Sequence, residues 1–140
     1  MANNMACCPD TDGGRDEFDD WIEIYNAENK PVDIGGMYLS QNSDNPLGYQ
    51  IPTTNSTVTT IQPGGFLVLW ADDDSDQGPL HIKFKLSHSG EFLGLYYNDG
   101  RTIDSLTFDQ QLENVSYGRS ADGGEAWKEF TESTPGSSNK

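Results

Sequence analysis

The stretch "QPGGFLVLWADD" (residues 62–73) decides the fold class, because it joins a turn, an apolar run and an acidic segment. Pro63 presets φ for a turn, and a glycine after it tolerates positive φ. Residues 66–71 are apolar on both faces, which is typical of a central strand in a sandwich. The aspartates that follow predict that the chain leaves the core directly after this strand.

Short β-type runs separated by turn residues continue on both sides of this stretch. No window of 11 residues has a clean apolar period of 3.6. The regular spacing predicts an all-β protein, an antiparallel β-sandwich of about nine short strands. Tyr96 and Tyr97 are adjacent in one run, so one of them should point outward. The runs cover residues 20–26, 32–40, 49–52, 56–61, 66–71, 82–87, 91–97, 101–108, 115–120 and 126–130.

The composition limits the classes of partner. A chain of 140 residues suits one domain. Its net charge of −15 repels phosphate backbones and anionic membranes, so we expect neither nucleic acid nor membrane insertion. The charge is compatible with cations, with basic protein surfaces, or simply with solubility. No apolar run approaches the ~20 residues that span a bilayer, and the first ten residues do not resemble a signal peptide.

Six motifs follow one another in order along the chain. They are "EFDDWIEIYN" (17–26), "QPGGFLVLWADD" (62–73), "LHIKFKLSHSGEFLGLY" (80–96), "TIDSLTF" (102–108), "VSYGRSADGG" (115–124) and "TPGSSN" (134–139). Together they resemble the lamin tail domain in its bacterial form. The resemblance implies an immunoglobulin-like sandwich over residues 17–132, between an acidic segment (1–16) and a polar linker (133–140). It also implies a non-catalytic accessory or interaction module of a secreted or cell-surface protein, which binds a protein partner or a neighbouring domain. Coiled-coil heptads, which would indicate a filament role, are absent from the sequence.

One departure from the family pattern concerns the first strand. Bacterial members begin with a strand similar to "INEFMASN", and "MANN" (1–4) matches only the end of that motif. We therefore predict a sheet edge that is unpaired or filled by a partner, rather than a complete first strand in residues 1–6. Such an edge favours binding by strand addition.

Two acidic groups are candidate metal sites, with calcium as the candidate ion. Alternate carboxylates followed by flexible glycines suit a hard cation. Counted from Asp72, however, an EF-hand loop would need glycine at Gln77 and glutamate at Lys83, so that loop type is excluded. Both groups also fit ordinary solvated loops. The candidate ligands are Asp10, Asp12, Asp16 and Asp19 in the first group and Asp72, Asp74 and Asp76 in the second.

Other candidate residues are few. His81 is expected at a strand edge or hydrogen-bonded to the preceding aspartate loop, apart from His88. Tyr97 and His81 are the candidate binding residues. Cys7 and Cys8 are too few for a zinc site and are predicted to be unpaired thiols.

Arg119 is predicted to pair with a carboxylate such as Asp20 or Asp104. The sequence has no G-x-S-x-G elbow and no cysteine near a histidine, so we do not expect an enzyme.

Two alternatives to the interaction module remain open. A carbohydrate-binding module, stabilised by calcium, requires an exposed pair of aromatic side chains on one flat face. A metal-dependent hydrolase requires three or more carboxylates that converge in a cleft.

Overall fold

The computed structural model describes residues 1–10 and 18–139, and in these ranges the protein is built almost entirely of short antiparallel strands. This confirms the predicted all-β class. No helix in the described ranges is long and apolar enough to cross a membrane. The elements are β1 (Trp21–Tyr25), β2 (Val32–Asp33), β3 (Tyr38–Ser40), β4 (Tyr49–Gln50), α1 (Ser56–Thr59), β5 (Thr60–Ile61), β6 (Phe66–Trp70), a 3-10 turn (Ser75–Gln77), β7 (Glu91–Tyr96), β8 (Thr102–Phe108), β9 (Ser116–Arg119) and β10 (Trp127–Phe130).

The strands form two packed layers. β1 pairs with β6, and β4, β3, β7 and β8 form a four-stranded sheet in that order. Two further pairs, β2 with β5 and β9 with β10, complete the sandwich. Leu69 of β6 and Leu39 of β3 are fully buried in one core, against which Ile22 and Ile24 of β1 pack. Ile22 and Ile24, two residues apart, therefore share the face of β1 that points toward the core.

Two predicted strands differ from the structure. Residues 56–59 form a helical turn, in which the Thr59 hydroxyl is buried and donates to Asp33 Oδ1 at 2.6 Å. This tertiary contact overrides the β-propensity of the run. Residues 82–87 make a single isolated bridge, between Lys85 and Asp72, instead of a continuous strand. Their alternation still holds, because Ile82 is buried while Lys83 and Lys85 are exposed.

The N-terminal segment is attached to the sandwich mainly through asparagine side chains. Asn4 is buried. Its backbone N–H donates to Asp20 Oδ1, and its side-chain Nδ2 donates to the Asp19 carbonyl. Asn114 Oδ1 accepts from the N–H groups of residues 5 and 6 at 2.8 Å each. The segment is therefore fixed in place without forming a strand.

Cys7 and Cys8 are joined by a disulfide, so the prediction of two unpaired thiols is wrong. The Cys7 N–H donates to Asn4 Oδ1, and Cys8 has a φ of 58°. This tight turn brings the two sulfur atoms together.

The segment that follows β10 packs back on the outer face of β1. The Gly136 N–H donates to Glu23 Oε1 at 2.5 Å, and Asn139 Nδ2 donates to the Arg119 carbonyl at 2.8 Å. The residue range predicted as a polar linker is thus hydrogen-bonded to the sandwich up to Asn139. Burial raises the pKa of Glu23, although the Gly136 hydrogen bond acts in the opposite direction.

Replacing Leu69 with alanine tests the core. Leu69 is 0% exposed, so we expect Leu69→Ala to lower the free energy of unfolding by about 3 kcal/mol through lost burial and the resulting cavity. Leu112→Ala, at a 57% exposed side chain, is the matched control and should cost less than about 0.5 kcal/mol. Denaturant unfolding measures both. Equal losses would show that β6 is not central to the core.

The pH dependence of stability tests Glu23. A raised pKa means that this group's contribution to stability is full below the unfolded pKa of about 4.3 and is lost as pH rises through the folded value. Glu23→Gln keeps an acceptor for Gly136 but does not ionise. We expect this variant to gain stability relative to wild type between about pH 4 and pH 7. Urea unfolding at both pH values measures the difference.

Glu129→Gln, on an exposed position of β10, is the control and should show no such gain. If the stability of Glu23→Gln relative to wild type falls with rising pH, the pKa of Glu23 is not raised in the folded protein.

Candidate functional site

Three buried side chains from distant parts of the chain converge at one end of β6. Asp10, Asp72 and His81 each offer a ligand atom, and these atoms lie within 4.8 Å of one another. Their relative exposures are 2%, 8% and 1%. This Asp–Asp–His cluster takes one residue from each of the two acidic groups that the sequence separates, and it includes a candidate binding residue.

Backbone pairing places His81 beside the end of β6. The Trp70 N–H donates to the Leu80 carbonyl and the Ile82 N–H donates to the Trp70 carbonyl, both at 2.8 Å. On the other side of β6, the Ala71 N–H donates to the Asp20 carbonyl at 2.7 Å. The end of β6 is therefore held from both sides. This packing buries His81, which the sequence placed at a strand edge.

Hydrogen bonds orient the carboxylate of Asp72 toward the imidazole. Asp72 Oδ2 lies 2.5 Å from His81 Nδ1, and Asp10 Oδ2 lies 3.8 Å from the same nitrogen. Asp72 Oδ1 accepts from the Asp74 N–H at 3.0 Å. The predicted hydrogen bond between His81 and the aspartate loop is thus confirmed. A second contact fixes the histidine backbone, because the Tyr49 hydroxyl donates to the His81 carbonyl at 3.3 Å.

The electrostatic field of the cluster reaches Tyr49. Burial is the larger cause and the negative charge of Asp72 the smaller one, and both raise the pKa of the Tyr49 hydroxyl group. The phenol therefore stays protonated and remains a hydrogen-bond donor at neutral pH.

The remaining acidic candidates lie apart from this cluster. Asp74 and Asp76 are exposed in and beside the 3-10 turn, where Asp74 Oδ2 accepts from Gln77 Nε2. Asp19 is half-buried, and its carbonyl accepts from Asn4 Nδ2. Asp12 and Asp16 lie outside the described residues. No sequence signal singles out Asp10 and Asp72, because burial alone distinguishes them from the other described aspartates of the two groups.

A second feature is an open groove of about 850 Å³ between β1 and the edge of the other layer. Ile22 and Ile24 of β1 line one side, and Leu93, Leu95 and Leu106 of β7 and β8 line the opposite side. Ala2 closes part of it by packing against Leu93 and Phe108. We call this feature the β1 groove.

The edge of β1 presents backbone groups to this groove. The Asn26 N–H donates to the Gly65 carbonyl and the Asp20 carbonyl accepts from Ala71, so even-numbered positions of β1 bond to β6. The N–H and C=O groups of Trp21, Glu23 and Tyr25 consequently point away from β6. Met1 satisfies both groups of Trp21, at 2.7 and 3.0 Å. Within the described ranges, no backbone group pairs with those of Glu23 and Tyr25.

Strand β9 also has an edge whose backbone groups point away from its paired strand, β10. The Ser120 N–H donates to the Ala126 carbonyl, so even-numbered positions of β9 bond to β10. Tyr117 and Arg119 therefore direct their backbone groups away from β10, and both residues line the β1 groove.

The aromatic and basic candidates have structural contacts. Tyr97 is 40% exposed while Tyr96 is 4% exposed, which confirms that one of them points outward. The Arg101 guanidinium lies 4.8 Å from the Tyr97 ring centre. Arg119 pairs with Asp104 at 2.6 Å rather than with Asp20, in agreement with one of the two predicted partners.

Comparison with known families bears on most of the chain. A family model described as Lamin Tail Domain matches residues 6–110, well over half of the chain. This match confirms the resemblance drawn from the sequence motifs, and with it the immunoglobulin-like sandwich. No curated protein and no solved structure gives a significant match.

Removing the carboxylate of Asp72 tests the cluster. We expect Asp72→Ala to lower the free energy of unfolding by about 3 kcal/mol at neutral pH, because it leaves the buried His81 without its closest acceptor. Asp76→Ala, on the same loop but exposed, is the matched control and should change it by less than about 0.5 kcal/mol. Denaturant unfolding in a chelator-containing buffer measures both. Equal effects would show that the pair contributes no net stability.

Proposed function

Because this chain belongs to the lamin tail domain family, an immunoglobulin-like family that is not enzymatic, we propose that it is a non-catalytic interaction module. It binds an extended strand of a protein partner, or of a neighbouring domain in the same parent chain, in the β1 groove. The parent protein is proposed to be secreted or attached to the cell surface, since the motifs resemble the bacterial form of the family.

The unpaired edge of β1 is the observation that carries this proposal. Sheet edges with free backbone groups are templates for another strand, and proteins usually cover them. At Glu23 and Tyr25 the edge lies open beside an apolar groove. An added strand gains backbone hydrogen bonds from this edge and buries alternate side chains in the groove.

The existing pairing of Met1 sets the direction of the added strand. Both backbone groups of Trp21 bond to Met1, which is the pattern of an antiparallel pair. A strand that continues this pairing runs antiparallel to β1, opposite Glu23 and Tyr25. Its outward edge then faces the free backbone groups of Tyr117 in β9.

Charge around the groove indicates which strand fits. Among the described residues, five acidic and two basic side chains line the groove, on a chain with a net charge of −15. A strand with apolar residues at alternate positions and lysine or arginine at its ends matches both the apolar floor and the acidic rim. The acidic residues are Glu23, Glu28, Asp104, Asp122 and Glu125, and the basic residues are Lys30 and Arg119.

Neither alternative function gains a specific observation. Among the described residues, the aromatic pairs in contact are stacked, tilted or edge-to-face, and none is formed by two exposed side chains. In the part of the chain that the structure describes, the cluster at Asp10, Asp72 and His81 contains two carboxylates, and it is buried instead of open to a cleft. Binding of a polypeptide strand therefore remains the function that we propose.

A synthetic strand peptide tests the proposal. The peptide is about eight residues long, with valine at alternate positions and lysine at both ends. On binding, the amide hydrogens of Glu23 and Tyr25 should exchange at least about tenfold more slowly. Those of Ile22 and Ile24 should change little, because they already bond to β6. Amide exchange followed by NMR measures all four.

Two controls separate strand addition from charge attraction. A peptide N-methylated at the positions that face β1 should not bind, whereas one methylated at the intervening positions should bind more tightly than the first. Tyr25→Pro should abolish protection at residue 25 and weaken binding relative to Tyr25→Ala, since both lose the ring and only proline lacks the N–H. Binding that is insensitive to N-methylation would contradict strand addition, and binding of glycans instead would support the carbohydrate alternative.

A further inference from the structure

We propose that Asp10, Asp72 and His81 form a single buried site for a divalent transition metal ion, with zinc as the best match. The sequence suggested two separate loops that bind calcium. The structure instead brings one carboxylate from each loop to the same imidazole nitrogen. The site is independent of the β1 groove and of strand binding.

The donor set decides the class of ion. Calcium takes six to eight oxygen ligands, whereas an imidazole nitrogen suits zinc and its neighbours in the transition series. Two carboxylates and one histidine are three protein ligands of the kind that zinc binds. All three side chains are buried, which separates this cluster from the exposed acidic residues Asp74 and Asp76.

The distances require only small movements. Donors about 2.1 Å from a tetrahedral ion lie about 3.4 Å apart. Asp72 Oδ2 is 2.5 Å and Asp10 Oδ2 is 3.8 Å from His81 Nδ1. An ion that replaces the proton between Asp72 and His81 therefore moves the Asp72 oxygen outward by about 1 Å and the Asp10 oxygen inward by less.

Neighbouring groups already orient the ligands. The Asp74 N–H holds Asp72 Oδ1, which leaves Oδ2 to bind the ion. The Tyr49 hydroxyl and the pairing with Trp70 fix the backbone on both sides of His81. Such outer contacts typically set the orientation of metal ligands.

Two carboxylates and one imidazole suit a divalent ion, because the two formal negative charges of the carboxylates balance its two positive charges. Buried charge is costly unless it is balanced. The ion would also join the N-terminal segment to the end of β6 and to His81, so its binding energy would stabilise the fold.

Thermal unfolding with defined ions tests the site. The full chain is stripped with a chelator and then supplied with zinc, manganese, calcium or magnesium. We expect zinc at a hundredfold excess over its Kd to raise Tm by on the order of 10 °C, with one zinc per chain by elemental analysis. Calcium and magnesium should raise it much less.

Matched variants locate the ion. His81→Gln and Asp10→Asn keep polar side chains of similar size and should each lower zinc affinity at least about tenfold. His88→Gln and Asp76→Asn, both at exposed positions, should bind zinc as the wild type does. If a cluster variant does not fold, the wild type alone decides: zinc binding should shift the nitrogen resonance of His81 Nδ1 and leave that of His88 unchanged.

Three results would overturn the proposal. The first is a zinc-dependent shift of Tm that persists in His81→Gln. The second is a calcium shift larger than the zinc shift, and the third is no metal-dependent shift in the wild type. None of these results depends on whether a strand peptide binds, so this proposal and the proposed function fail separately.

Discussion

The structure depends on the backbone pairing at the end of β6. β1 lies on one side of this strand, and on the other side Trp70 bonds to Leu80 and Ile82, which flank His81. The end of β6 is therefore paired on both edges, and a backbone whose polar groups are paired can enter the core. Leu69 is accordingly buried completely. The layers on either side then pack against this strand, and the chain becomes acidic where the strand ends.

The same pairing places the buried cluster. Asp72 follows β6 directly and lies where the chain turns outward, and His81 returns along the opposite edge of the strand. The polar side chains at this point are buried together, so each hydrogen-bond donor needs an acceptor and each acceptor needs a donor. The hydrogen bond between His81 and Asp72 satisfies this requirement, and Asp10 brings the N-terminal segment to the same place. Aspartates a few residues further along the loop remain in water.

β1 is fully paired only on the edge that faces β6. Beyond Met1, the edge at Glu23 and Tyr25 faces an apolar groove instead of another strand in the described part of the chain. The outer face of β1 is nevertheless covered, since Gly136 reaches Glu23 and Tyr25 packs on Phe66 at 5.0 Å between ring centres. The open part of the sandwich is thus a backbone edge and a groove, which is the geometry that strand addition uses.

The sequence by itself determined the all-β class and most strand positions, because these follow from the two-residue period of apolar side chains and from turn residues. It also identified the pool of acidic candidates and the family. Only the tertiary structure decided that residues 56–59 form a helical turn, that Cys7 and Cys8 are bonded, and that His81 is buried. It alone selected Asp10 and Asp72 from two runs of similar aspartates. Local patterns report which side of a strand is apolar, but burial of a polar side chain depends on which distant segment packs over it.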